Sequence, residues 1–332
     1  MNTVWTTGGE VPANELGRVL PHEHIFINEM IEDRSAGLLN DAGLLRAELE
    51  AFAALGGGTL VELTTAELTA GASPDPRGLY GGPRASGFPE HGTRAAGNVA
   101  AIAALAEETG VRIVLGTGHY RDPYLENESL DRFHASVDEV AEKIVRDLTE
   151  GFPGTSVRAG IIGEVGPDKW FVSAREERSL RAAARAHRAT GVPITTHTSK
   201  WPVGGDVVDL LVAEGVDPAT IILGHCSTID IAEYHLDMAS RGVWMQFDTI
   251  RGGADRVVDR WVEQVMRLVG AGYLDRILLS HDVCLKSDLR VNGGCGYTYI
   301  LEEFLPRLGR AGLNEGELDQ IVTVNPQRAL AG

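Results

Sequence analysis

Cysteine is scarce in this chain: Cys226, Cys284 and Cys295 are the only three in 332 residues. So sparse and odd a set cannot build a disulfide framework, and it suits a reducing compartment. Basic charge is also short, with 30 Lys and Arg against 47 Asp and Glu and a formal charge of −17. That balance argues against a nucleic-acid partner, whose phosphates need a basic surface, and against an anionic membrane surface. No apolar run reaches the length that spans a bilayer. Residues 1–10 show no basic start followed by an apolar core, so no signal peptide is expected and the cytoplasm is the expected location. Low-complexity tracts, short-period repeats and Pro/Ser-rich linkers are missing as well, which leaves one domain over residues 1–332 as the expectation.

What is present is a repeated alternation. Hydrophobic content of 43% and a mean hydropathy of −0.06 describe a globular chain. Short β-branched or aliphatic runs predict strands over 19–25, 59–63, 112–116, 159–164, 193–197, 221–225, 243–248 and 276–282. Ala/Leu/Glu/Arg-rich stretches predict helices over 41–54, 95–109, 136–149, 174–190, 205–214, 231–240, 255–271, 297–310 and 315–325. Gly110 and Gly191 stand where helices should stop. Eight strands alternating with helices predict parallel pairing and a (β/α)₈ TIM barrel, with an open doubly wound sheet as the alternative. The segments densest in Gly and Pro, near 66–93 and 283–297, would then be active-site loops at the C-terminal face.

The stretch that organises the chain is Leu20-Pro21-His22-Glu23-His24. On a strand, His22 and His24 project to the same side. Four other predicted strands end in metal-capable side chains: Glu164, His197, His225 and Asp282. In a barrel all six converge on the catalytic mouth. Nitrogen and oxygen ligands of this kind suit Zn²⁺, Mn²⁺, Fe²⁺ or Co²⁺. Six are too many for one tetrahedral zinc and right for two ions roughly 3.5–4 Å apart. His281, one residue from Asp282, should point away from the cavity. Cys226 and Cys284 read as small buried fillers rather than thiolate ligands.

With these residues in hand, the chain resembles the phosphotriesterase-related family of the amidohydrolase superfamily. The likeness runs from about Gly17 to Leu330. It is carried by residues 20–24, Gly116-Thr117-Gly118-His119-Tyr120, residues 159–166, 191–199 and 222–225, Ser280-His281-Asp282 and Val324-Asn325-Pro326. The resemblance implies two divalent cations, with Zn²⁺ placed first and Mn²⁺, Co²⁺ and Fe²⁺ as alternatives. It also implies that His22, His24 and Asp282 hold the more buried ion and that His197 and His225 hold the more exposed one. Many members bridge the two ions with a carboxylated lysine on the fourth strand. Here that position is Gly163, and Glu164 is taken as the bridge, as in a glutamate-bridged branch of the family. One residue along a strand normally flips the face, so this requires a displaced or bulged strand.

The implied chemistry is hydrolysis by a metal-bridging hydroxide, with Asp282 as the catalytic proton acceptor. A lactone or carboxylic ester is the first expectation, with phosphotriester cleavage as a side activity. The alternative is an amidase acting on N-acyl amino acids or similar small acids, and a non-catalytic metal-containing binding protein is the third reading. The partner is a small-molecule substrate. A homodimer is the default assembly, since closed two-fold dimers are the commonest oligomers. Tyr120, Arg121 and Arg251 follow the third and seventh strands and are the candidate substrate contacts. Either arginine suits a substrate carboxylate, and a solvated loop arginine is the plain alternative. Trp170, Phe171 and Trp201 follow the fourth and fifth strands, where they wall a pocket or pack against helices.

Overall fold

The protein is described here by a computed structural model that covers residues 3–69, 71–74, 93–125 and 135–332. Eight strands form one parallel sheet: β1 (Arg18–Glu23), β2 (Gly57–Glu62), β3 (Arg112–Thr117), β4 (Ile161–Val165), β5 (Ile194–Thr196), β6 (Ile221–Leu223), β7 (Trp244–Phe247) and β8 (Ile277–Leu279). They pair in chain order. A helix follows each strand: α1 (Ala42–Ala54), α2 (Ala96–Thr109), α3 (Val137–Thr149), α4 (Ala174–Thr190), α5 (Gly204–Ala213), α6 (Ala232–Ser240), α7 (Asp255–Gly270) and α8 (Leu305–Ala311). This is a (β/α)₈ TIM barrel. An N-terminal hairpin, Thr3–Thr6 against Gly9–Pro12, and the final helix Asn325–Ala331 close its lower end.

Three of these helices begin where a side chain satisfies their first N–H groups. Ser136 and Ser173 form capping boxes with Glu139 and Glu176, and Asp41 caps α1. The expected helices over 297–310 and 315–325 are interrupted by wide turns at Ile300–Phe304 and Gln320–Val324. Each wide turn leads into a proline, Pro306 or Pro326, whose ring lacks an N–H and crowds the carbonyl four residues back.

Alternation along the strands divides the core in two. Val19, Val61, Val114, Ile161, Ile222, Trp244 and Leu278 fill the barrel interior. Their neighbours Leu20, Leu60, Ile113, Ile162, Leu223, Met245 and Leu279 pack outward against the helices. The interior is therefore packed, and the site can only lie above it.

Two strands break this alternation beneath the site. On β1, Leu20 pairs with Leu60 and Glu23 with Glu62, so three steps on one strand match two on the other. Val19 and His22 therefore face inward although three residues apart. On β4 the pairing moves from Ile162↔Ile194 to Val165↔Thr196, again three steps against two. Ile162 and Val165 both lie in the outer core, which leaves Glu164 inside with Ile161. The bulge expected from the one-residue offset of Glu164 is present. The Gly163–Glu164 peptide is cis.

β1 and β8 meet through side chains as well as backbone. The His22 N–H donates to Ser280 Oγ (3.1 Å), and the Asp282 N–H donates to His22 O (3.2 Å). Between them lies the Glu23 carboxylate, fully buried. It accepts from Ser280 Oγ (2.8 Å) and the N–H groups of His281 (2.8 Å) and Val283 (2.9 Å), and His281 Nδ1 sits 2.8 Å away. His281 thus points out of the cavity, as expected.

Gly163 shows how little slack the bulge has. Its φ is +129°, and a Cβ there would lie 2.3 Å from Thr195 O. Gly163→Ala is expected to destabilise the fold by about 1–3 kcal/mol and to displace Glu164. A urea denaturation midpoint unchanged from wild type would contradict this.

Candidate metal centre

The six residues singled out in the sequence come together at the top of the barrel. Glu164 Oε2 lies 3.0 Å from His197 Nδ1, 3.1 Å from His225 Nε2 and 3.5 Å from His22 Nε2. Its other oxygen, Oε1, lies 3.5 Å from His24 Nε2. One carboxylate thus reaches both histidine pairs. Asp282 Oδ1 faces the β1 pair, 3.6 Å from His22 Nε2 and 3.3 Å from His24 Nε2. His225 Nε2 and His197 Nδ1 are 2.9 Å apart.

Two of these side chains are aimed by unusual backbone rather than by strand geometry. β6 stops at Leu223 and β8 at Leu279, short of the ends expected at 225 and 282. His225 and Asp282 lie beyond, in the left-handed region at φ 58° and 59°. Non-glycine residues adopt that region at a cost, and where they do, function is a common reason.

A second layer fixes which nitrogen each ring offers. Asp248, fully buried on the inward face after β7, holds His225 Nδ1 (2.8 Å), accepts from the His225 N–H (2.9 Å) and lies 3.1 Å from His22 Nδ1. The Gln246 amide donates to the same carboxylate (2.9 Å). His24 Nδ1 meets Thr64 Oγ1 (2.9 Å), and Thr64 donates in turn to Glu62, which is ion-paired with the buried Arg94. The Nε2 atoms of His22, His24 and His225 are thereby turned to the centre, while His197 offers Nδ1. Asp248 could be grouped with His22 and His225 as a third ligand set, but its contacts to their rings are at Nδ1, which makes it an orienting group. The sequence expectations passed over Asp248 and Glu23. The signal for Asp248 was its place at the end of the seventh predicted strand, and for Glu23 its place between two histidines.

The electrostatics are those of a cation site. Burial works against a charged His24, yet Asp282 and Glu164 lift it to about 9. His225 is likewise disfavoured by burial and raised to about 10 by Asp248 and Glu164. Burial and the neighbouring His225 pull His197 down to about 4. Glu164 stays well below the carboxylate range despite its burial, because His22, His197 and His225 surround it. A buried polar atom left without a hydrogen bond is costly, and His22 Nε2 is one, aimed at the centre. Four imidazole nitrogens and two carboxylates around such an atom fit two borderline divalent ions.

The expected substrate contacts fare differently. Tyr120 is buried with its ring edge-on to His197, centroids 4.9 Å apart. Its N–H donates to Glu67 Oε2 (3.3 Å), and Glu67 also holds His119 Nδ1 (2.6 Å). The two arginines are not free clamps. Arg121 is paired with Glu32 and Asp168. Arg251 donates to Asp282 Oδ2 (2.6 Å), Asp288 Oδ2 (2.9 Å) and His281 O (2.8 Å). Both arginines expected as substrate contacts are thus paired with carboxylates of the protein. Trp170, Phe171 and Trp201 are 65%, 42% and 44% exposed, and the Trp170 and Phe171 rings meet edge-on with centroids 5.1 Å apart. Cys226 is buried and Cys284 half-buried, its sulfur 3.5 Å from Arg251 Nη2. In the expected loop 66–93, residues 70 and 75–92 lie outside the described residues. Among the described residues, no helix is long and apolar enough to cross a membrane.

Comparison with known proteins agrees with this geometry. Residues 2–73 and 91–330 match the Phosphotriesterase family. The chain is 36% identical to the phosphotriesterase homology protein of Escherichia coli over 67% of its length and 75% of that protein's. The crystal structure of that protein, with phosphate in its active site, superposes with a TM-score of 0.81 over 95% of this chain and 99% of its own, at 29% identity. N-acetyltaurine hydrolase of Mus musculus is 28% identical over 98% of this chain and 97% of its own. A lactonase from Listeria monocytogenes shares the fold, with a TM-score of 0.84 over 99% of this chain and 98% of its own at 23% identity. The chain belongs to the phosphotriesterase family of metal-dependent hydrolases.

Proposed function

We propose that this chain hydrolyses a carboxylic acyl bond at a centre of two divalent ions, and that the bond is the amide of a small N-acyl compound. The observation that carries the centre is the Glu164 carboxylate set between two histidine pairs. His22, His24 and Asp282 would hold one ion and His197 and His225 the other, with Glu164 shared. Bound there, the ions supply Lewis-acid polarisation of the acyl oxygen and make water nucleophilic at neutral pH. The amide reading is supported by the N-acetyltaurine hydrolases, which match nearly the full chain. A lactone or ester remains the second reading, supported by the same centre, which accepts any acyl carbon.

The chain's own residues handle the proton. Arg251 occupies Asp282 Oδ2, so only Oδ1 faces the cavity. Burial raises the proton affinity of Asp282, but the Arg251 charge and the His24 contact outweigh it and keep the group ionised. Water's oxygen bonds to the acyl carbon as Asp282 Oδ1 takes its proton. The C–N bond then breaks, and the same proton passes to the departing nitrogen, giving a carboxylic acid and an amine.

Initial rates on N-acyl compounds, γ- and δ-lactones and a phosphotriester, before and after chelation and metal return, test the reading. Turnover of amides that chelation removes and divalent ions restore is expected. Lactones dominating the panel would reverse the two readings, and turnover that survives full metal removal would overturn both. Asp282→Asn should lower kcat by about 10²–10⁴, with metal content measured in parallel. Asp248→Asn, which breaks the hold on His22 and His225, should weaken metal affinity by about 10–100-fold in a chelator competition.

A further inference from the structure

Glu29 lies five residues beyond His24, in the loop between β1 and α1, at the start of the short helix Met30–Asp33. It is 7% exposed. Its N–H donates to Gly37 O (2.6 Å). Its side chain caps nothing, and among the described residues its carboxylate has no hydrogen bond or ion pair. Buried carboxylates are normally paired. Burial lifts this one to about 7, with Asp282 and Glu164 adding to the lift against His24 and Arg121. In turn Glu29 acts on Tyr124 and Cys284. The same short helix carries Glu32, which pairs with Arg121; Arg121 lies over the Tyr120 ring (4.9 Å) and that ring meets His197 (4.9 Å), so this loop borders the metal centre.

Among the described residues, the two arginines beside the centre are committed elsewhere. Arg121 is shared by Glu32 and Asp168, two acids for one base, and Arg251 by Asp282 and Asp288. Of the lysines after β4 and β5, Lys169 and Lys200 are exposed. Among the described residues, a sulfonate or carboxylate entering on this side would face Glu29 with Arg121 and Arg251 both already paired. An ammonium group would meet a largely buried carboxylate that lacks a partner among the described residues, a setting that strengthens such a pair.

We propose that Glu29 is the specificity-determining residue of the site and selects a substrate whose amine half carries a cationic ammonium group. The substrate class is then an N-acylated diamine rather than an N-acyl sulfonate or N-acyl amino acid. This rests on the acyl-hydrolase reading above. The bond cleaved is shared with the N-acetyltaurine hydrolases, and the charge of the released amine is not.

The test uses the metal-loaded full chain and three acetamides of similar size: N-acetyl-1,3-diaminopropane, N-propylacetamide and N-acetyltaurine. Wild type should prefer the cationic amide over the neutral one by about 10–100-fold in kcat/KM, with the anionic one last. Glu29→Gln, nearly isosteric, should erase the preference while leaving the neutral amide within about twofold. Glu29→Lys should turn the order towards N-acetyltaurine. A wild-type preference for the anion, or an order that Glu29→Gln leaves intact, overturns the proposal while amide cleavage stands. The acetate ester of 3-aminopropanol and propyl acetate separate the two claims. Inert amides with the same charge order in the esters would sink the amide reading and support Glu29. Should nothing be turned over, calorimetry with propyltrimethylammonium, which has no lone pair for a metal, decides. Binding that Glu29→Gln weakens about tenfold supports the proposal, and no binding or an equal affinity in both proteins overturns it.

Discussion

The site depends on holding one carboxylate, Glu164, dry among four imidazoles. An anion at that depth is stable only with positive charge around it, and the rings supply it as protons or as the ions that replace them. The barrel exists below this point as a packed plug of Val, Ile, Leu and Trp side chains. It therefore offers no water to the underside of the cluster. Charge at the centre has to be balanced from the sides and from above.

From the sides the balance comes from further buried acids. Asp248 fixes His22 and His225, and the chain from Thr64 through Glu62 to Arg94 fixes His24. Glu23 does the same for backbone, tying residues 280–283 to β1 where the first and last strands meet. Each acid is fully buried and each has its partners, the condition under which such groups give rigidity rather than instability. Ligand orientation and barrel closure are thus one network.

Above the centre the pattern changes. Arg121 and Arg251, the arginines expected as substrate contacts, are bound to the protein's own carboxylates. Arg251 occupies the outer oxygen of Asp282. Among the described residues, Glu29 is an acid of this region left without a partner. Family membership supports hydrolysis at a metal centre. The function of a barrel lives in the site built on it, so the residues at the mouth decide the molecule that fits.

Much of this was legible in the sequence. Eight strand and helix periods, Ser and Asp caps and Gly stops specify the barrel because those signals are local. The six centre residues were legible because strand ends in a barrel share one face. Glu164 was legible only as a conflict, since simple alternation points it outward. Its position is decided by pairing between strands, where three residues of β4 meet two of β5. The same holds for β1, and for the left-handed turns that aim His225 and Asp282. The pairing of Arg121 and Arg251 joins segments far apart in the chain, as does the isolation of Glu29. The sequence by itself determined the elements and the donor set, because these follow from local periodicity and side-chain chemistry. Only the tertiary structure decided which face each donor takes and which charges are left unpaired, because register and long-range burial are properties of the closed barrel.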